Sequence, residues 1–156
     1  GPGRPGRRLS LQKRRVMAIY KSSCHCGAVR AELETETDPA EVDVRECQCA
    51  FCRAHSATSA SDPNGRIRYI ERAAGDITYY QFGTKSCEAV ICRHCGVYMG
   101  AVMRNADGSG YATTNIKHYE DRLLFTRPPR ARHYEDELFE ERQERRRQTW
   151  TPLAAS

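Results

Sequence analysis

The chain has 156 residues, 29% of them charged and 39% hydrophobic, with a formal net charge of +5. That length suits one domain with a real core, and no apolar run approaches the roughly 18 residues of a membrane span. The positive balance is local: residues 1–16 hold six Lys/Arg and no acid, whereas residues 17–126 hold twelve basic and fourteen acidic side chains. Nothing there suggests a nucleic-acid groove on the folded body.

In chain order, the Gly-, Pro-, Arg- and Ser-rich stretch at 1–16 reads as a disordered basic arm. From Ala18 onward the text becomes short β-type runs. Ala28–Glu34 alternates, with Val29, Ala31 and Leu33 on one face and Arg30, Glu32 and Glu34 on the other. Glu41–Glu46 alternates similarly. After the Asp62-Pro63-Asn64-Gly65 turn come strand candidates at Arg66–Glu71, Ile77–Phe82, Glu88–Ile91, Val97–Met103 and Tyr111–Ile116. Arg127-Pro128-Pro129-Arg130 ends the pattern. Glu135–Gln148 has helical composition, but Leu138 and Phe139 are its only apolar residues, so it reads as a polar helical appendage. The expected organisation is a basic arm at 1–16, an all-β zinc-binding body at 17–126 and a polar extension at 127–156.

Eight cysteines carry the chemistry: 24, 26, 47, 49, 52, 87, 92 and 95. Without a secretory signal at the basic start, a reducing, cytoplasmic setting is expected, where closely spaced cysteines bind metal more often than they pair. Cys24-His25-Cys26 puts two thiols on one side of an extended segment. Cys92-Arg93-His94-Cys95-Gly96 is a knuckle, its glycine relieving the turn. Together they make a closed four-cysteine zinc site. Cys47-Gln48-Cys49-Ala50-Phe51-Cys52 offers three thiols within six residues, one short of a tetrahedral set. Cys87 could complete that set, although in a regular strand it would face away from Cys92. Spacing also permits Cys24/26/47/49 with Cys52/87/92/95. A three-thiolate zinc with an open position suits an exchangeable fourth sulfur better than water, because binding lowers the incoming thiol's pKa. His55, three residues after Cys52, is a candidate proton donor. His25, His94, His118 and His133 carry no catalytic context, and there is no Ser-His-Asp spacing, phosphate loop or zincin motif.

Ser23-Cys24-His25-Cys26-Gly27-Ala28-Val29, Cys47-Gln48-Cys49-Ala50-Phe51-Cys52-Arg53, Phe82-Gly83-Thr84 and Cys92-Arg93-His94-Cys95-Gly96 resemble the glutathione-dependent formaldehyde-activating enzyme family, which includes centromere protein V. The resemblance spans Tyr20 to Phe125. It implies a β-tent-like, zinc-binding all-β fold of short antiparallel strands with two zincs per chain. A structural zinc would lie on Cys24, Cys26, Cys92 and Cys95, and a catalytic one on Cys47, Cys49 and Cys52. The implied activity is that of a carbon–sulfur lyase joining glutathione and formaldehyde as S-(hydroxymethyl)glutathione. Many family members carry two basic residues after the third cysteine, whereas here Arg53 is followed by Ala54. Arg53, Lys85, Arg93 and Lys117 are the candidates for the carboxylates of a glutathione-like partner, and no basic patch is evident. Cys87 has no counterpart in the family pattern and is expected to be a buried free thiol. The alternative reading is a zinc-stabilised, non-enzymatic binding module, directed to chromatin or nucleic acid by the basic arm.

Overall fold

The computed structural model describes residues 16–155; the basic arm at 1–16 lies, apart from Val16, outside the described residues. Alternating side chains build the first sheet. In β2 (Val29–Thr35) Val29, Ala31, Leu33 and Thr35 are buried, while Arg30, Glu32 and Glu34 look outward, as the period-2 pattern requires. This strand pairs antiparallel with β1 (Ala18–Ser23) on one side and with β5 (Arg66–Glu71) on the other. The three form a small sheet ordered β1-β2-β5.

The second sheet carries the site. Its path is β10 (Arg130–Arg132), β3 (Asp43–Cys47), β4 (Ser59–Ser61), β9 (Gly110–Asn115), β8 (Tyr98–Arg104), β7 (Glu88–Cys92) and β6 (Ile77–Tyr80). A last short strand, β11 (Thr151–Pro152), pairs with β9. All pairings are antiparallel except β10 on β3. Two α-helices complete the order: α1 (Ala50–Ala54) and α2 (Phe139–Thr149). The all-β, tent-like architecture with a polar C-terminal helix is therefore the one observed.

Six of the seven residues of β8 are buried, which means both faces of the large sheet are covered. On one face Met99 and Val102 join Val29, Leu33, Ile67, Val90 and Ile116 in the main core, against the small sheet. On the other, Ala101 and Met103 pack against Trp150, and Ala89 and Tyr98 pack with Phe51 and Cys52. The polar C-terminal stretch is thus part of the fold's second layer. Its apolar contribution comes from Trp150 and Leu153 at the end of the helix, and so escapes a search for an apolar stripe along α2. Backbone bonds fasten it: Ala154 N–H donates to the Ile67 carbonyl (2.8 Å) and Asp62 N–H to Thr151 Oγ1 (2.8 Å).

Most strand boundaries follow the sequence pattern closely, but β6 ends at Tyr80 rather than Phe82, and β10 and β11 form where no strand is expected. Pro39–Glu41 forms a 3₁₀ turn capped by Asp38, so β3 starts at Asp43 rather than Glu41; a proline in the first turn favours that conformation. Ser59–Ser61 forms a strand although it lacks β-branched or aromatic residues, because β3 and β9 pair with it from both sides. Where the sheets cross, Tyr69 reaches over Gly100 to donate to the Thr113 carbonyl (2.7 Å), and a Cβ at residue 100 would overlap both groups. Gly100→Ala should lower stability by about 1–3 kcal/mol, the usual cost of overpacking, as measured by the denaturant midpoint of the zinc-loaded protein.

Candidate metal centre

The first cluster is assembled by two turns that present sulfur to backbone N–H groups. Cys24 follows β1, and its sulfur accepts from Val29 N (3.3 Å) while Gly27 takes the left-handed conformation (φ +84°). At the other turn Cys92 Sγ accepts from Cys95 N (3.5 Å), and Gly96 has φ +78°. Only glycine adopts that backbone region without steric cost. Asp76 braces the second turn: its side chain bonds His94 Nε2 (2.7 Å), and its carbonyl accepts from Arg93 N (2.8 Å). His94 is therefore a buttress of the knuckle.

The two turns meet. Cys26 Sγ lies 3.7 Å from Cys24 Sγ and 3.6 Å from Cys92 Sγ, and the four sulfurs of Cys24, Cys26, Cys92 and Cys95 lie within 4.8 Å of one another. A tetrahedron with metal–sulfur bonds of about 2.3 Å has sulfur–sulfur edges of about 3.8 Å, close to the two shortest separations here.

The second cluster uses the end of β3 and the start of α1. Cys49 is the N-cap of α1, its sulfur accepting from Cys52 N (3.4 Å), and Cys47 is the last residue of β3. Their three sulfurs also lie within 4.8 Å of one another. In mutual contact they share charge unequally. The hydrogen bond from Cys52 pulls the Cys47 thiol down to about 5, while that same bond and burial push Cys52 up. All three ionise together only around a cation. Among the described residues no fourth Cys, His, Asp or Glu joins this group.

Cys87 is not part of either cluster. It immediately precedes β7, which carries Val90 and Cys92 into the main core and Ala89 and Ile91 to the opposite face. Cys87 follows the second parity. It is a half-buried free thiol packed near Trp150, and burial pushes its thiol pKa up against the opposing pull of Arg146 and Arg142.

A pocket of about 240 Å³ opens at the second cluster, with Cys47, Cys49, Cys52 and Cys87 in its wall. Phe51, Phe82, Ala89, Tyr98 and Trp150 make its apolar lining, and Arg45, Arg142, Arg145 and Arg146 its cationic one. Phe51 organises the aromatic side, stacking on Phe82 (4.9 Å) and meeting Tyr98 edge-on (5.0 Å). Tyr98 is 4% exposed, and burial, with the nearby Cys52 among the lesser causes, holds its phenol well above the usual tyrosine range. It is a neutral hydroxyl beside the sulfurs.

The structure puts the other sequence candidates elsewhere. His55 caps the C-terminal end of α1, exposed, with its ring 4.5 Å from that of Phe51, and it does not line the pocket. Arg53, Lys85, Arg93 and Lys117 are exposed and also lie outside the lining; Lys117 donates to the Ser56 carbonyl. The cations that do reach the pocket come chiefly from α2. Arg142, Arg145 and Arg146 sit at i, i+3 and i+4, which places them on one helical face. That spacing is present in the sequence, but it gains meaning only when β10 and β11 bring α2 to this end of the sheet.

Among the described residues no helix is long and apolar enough to cross a membrane. Residues 19–127 match the family model described as glutathione-dependent formaldehyde-activating enzyme. The chain is also similar to a protein from Rhodobacter sphaeroides of known crystal structure: 32% identity, 70% of this chain and 98% of that one covered, TM-score 0.51. The two cysteine clusters can each hold a metal ion, in keeping with zinc binding in this family.

The two clusters should respond differently to loss of one sulfur. Cys92→Ser should abolish the cooperative thermal transition. Cys49→Ser should leave the protein folded with one metal ion fewer per chain, measured by metal analysis alongside the melt.

Proposed function

The chain belongs to the glutathione-dependent formaldehyde-activating enzyme family, and from that premise we propose that it is a zinc-dependent carbon–sulfur lyase. It adds a small thiol of the glutathione type to formaldehyde or a related small carbonyl. One observation carries the reading: among the described residues four sulfurs meet at the first cluster and three at the second, and the three of the second line a pocket. In this reading Cys24, Cys26, Cys92 and Cys95 hold a structural zinc, and Cys47, Cys49 and Cys52 hold the catalytic one.

A zinc held by Cys47, Cys49 and Cys52 would supply a Lewis acid that lowers the pKa of an incoming thiol. The reaction itself is an addition. A carbon–sulfur bond forms between the thiol sulfur and the carbonyl carbon, the π electron pair moves to oxygen, and that oxygen takes up one proton to become the hydroxyl of a hydroxymethyl thioether. The chain's own residues serve it in two ways. Phe51, Phe82, Ala89 and Trp150 form an apolar wall that limits competing water and strengthens electrostatic contacts in the site. Tyr98, a neutral phenol in that wall, is the group positioned to donate a proton to the developing alkoxide. In this reading Tyr98 rather than His55 donates the proton, because Tyr98 lines the pocket while the exposed His55 ring, 5.5 Å from that of Tyr98, lies outside the lining. The competing binding-module reading depends on the basic arm, and no observation on the described residues favours it.

Zinc-loaded protein should consume formaldehyde in the presence of glutathione. Two zincs per chain, each with four protein sulfurs by X-ray absorption, together with no consumption, would sink the proposal. Tyr98→Phe should slow turnover by about 100-fold, the lower end of a lost general-acid contribution, while the melt stays unchanged. His55→Ala should leave the rate within a factor of about three, a difference below ~0.7 kcal/mol in barrier.

A further inference from the structure

Six residues of the pocket's lining lie beyond the family match, which ends at residue 127. β10 lies parallel to β3 with Arg132 beside Cys47, and Gln48 N–H donates to the Arg132 carbonyl (2.9 Å). From there the chain runs into α2, and Tyr134, Glu135, Arg142, Arg145, Arg146 and Trp150 line the pocket. The C-terminal stretch therefore touches the second cysteine cluster directly.

Its arginines are not equivalent. Arg145 is spoken for: it holds both oxygens of Glu137 (2.8 and 3.0 Å) and lies 3.7 Å over the Tyr134 ring. Arg142 is shared among the Tyr134 carbonyl (3.0 Å), Thr84 Oγ1 (3.4 Å) and, more distantly, Glu137 (3.7 Å). Arg45 pairs with Asp43 (2.8 Å), which also receives Arg130. Arg146 differs from all of them. It is 8% exposed and lies 5.1 Å over the Trp150 ring, it donates to the neutral oxygens of Ser86 (2.7 Å) and Gln143 (2.9 Å), and its buried Nε has no hydrogen-bond partner. Among the described residues no carboxylate lies within ion-pair distance of it.

A guanidinium stays charged at any physiological pH, and a buried charge without a counter-ion is costly. Cys87 and Glu137 both act on Arg146 electrostatically, but burial favours the neutral thiol of Cys87, and Glu137 is already engaged by Arg145 and Arg142. The cost is recovered if an anion enters the pocket. A carboxylate is the natural fit, since arginine recognises planar oxyanions with strong charge-assisted hydrogen bonds.

We infer that the C-terminal segment is the specificity-determining wall of the site, and that Arg146, seconded by Arg142, anchors a carboxylate of the thiol substrate. The class of substrate is then a small thiol that carries a carboxylate a few bonds from sulfur, such as a thiol-containing peptide, in preference to a neutral thiol. This rests on the reading of Cys47, Cys49 and Cys52 as the place where the substrate sulfur binds. Pocket geometry supports the pairing: the sulfurs and Arg146 line one cavity, with Cys87 lying within electrostatic reach of both Cys49 and Arg146.

The test separates the anchor from the chemistry. Zinc-loaded protein is titrated calorimetrically with S-methylglutathione, whose blocked sulfur cannot react, and with its dimethyl ester, which lacks both carboxylates. The wild type should bind the diacid about 10-fold or more tightly than the ester, a ratio expected for one charge-assisted contact. Arg146→Gln should erase that preference while zinc content stays at the wild-type value. Arg142→Gln should reduce it by a smaller factor, and it covers the case in which the buried substitution does not fold. Equal affinity for the two ligands in the wild type, no binding of the diacid, or an undiminished preference in a folded Arg146→Gln protein would each overturn the inference. A role limited to balancing the zinc–thiolate charge would instead lower zinc content and weaken both ligands alike, which also overturns it. Formaldehyde consumption is assayed separately with 2-mercaptoethanol as a neutral thiol. Its absence with every thiol, beside an intact diacid preference, defeats the lyase reading and leaves the anion anchor standing.

Discussion

Four sulfurs at one point hold this fold in register. Cys24 and Cys26 leave the end of β1 in the small sheet, while Cys92 and Cys95 leave the end of β7 in the large one. Cys26 and Cys92 are separated by 66 residues yet lie 3.6 Å apart. Closing so long a loop costs chain entropy, and a metal bound there returns free energy directly to folding. The surrounding residues are arranged for the same end. Two glycines with positive φ turn the chain, two backbone N–H groups point at sulfur, and Asp76 braces His94 and Arg93. With the edges of the sheets tied, the apolar faces of β2, β7 and β8 meet in one core.

The second cluster depends on the first through β7. Because side chains alternate along a strand, Val90 and Cys92 serve the core and the closed site, while Ala89 and Ile91 serve the opposite face. That opposite face is where α1 packs and where the three-sulfur cluster opens to the pocket. One strand thus separates a site whose ligands are complete from one that leaves room for a reactant. The contrast between them is chemical as well as geometric: four sulfurs can complete a tetrahedral metal site, and three cannot.

The C-terminal segment turns an exposed sheet face into a pocket. Without Trp150, α2 and β10, the second face of β8 and the sulfurs of the second cluster would face solvent. The segment is polar along its length because its task is to line a cavity with cations while anchoring itself through backbone pairing and a few apolar side chains. Its most buried charged member, Arg146, has no carboxylate within ion-pair distance among the described residues, and Glu137, which acts on it at longer range, is held by Arg145.

Much of this was legible from residue order alone. Period-2 alternation located β2, β5 and most other strands within a residue or two, because burial of one sheet face imposes that pattern locally. The cysteine spacings located both clusters, since i, i+2 in a strand and i, i+3 in a turn are local geometries, and the opposite facing of Cys87 and Cys92 followed from strand parity. What spacing left open was the partition of sulfurs between sites, which depends on which strand ends meet in space. The pocket's cations were hidden for the same reason. Arg53 and His55 are close to the cysteines in sequence, but the α1 turn carries them outward, whereas Arg142 and Arg146 are some ninety residues away and are brought in by β10 and β11. The sequence by itself determined the ligands and the strands, because those are set by neighbours along the chain; only the tertiary structure decided what stands across the cavity from the sulfurs, because that is set by long-range pairing of strands.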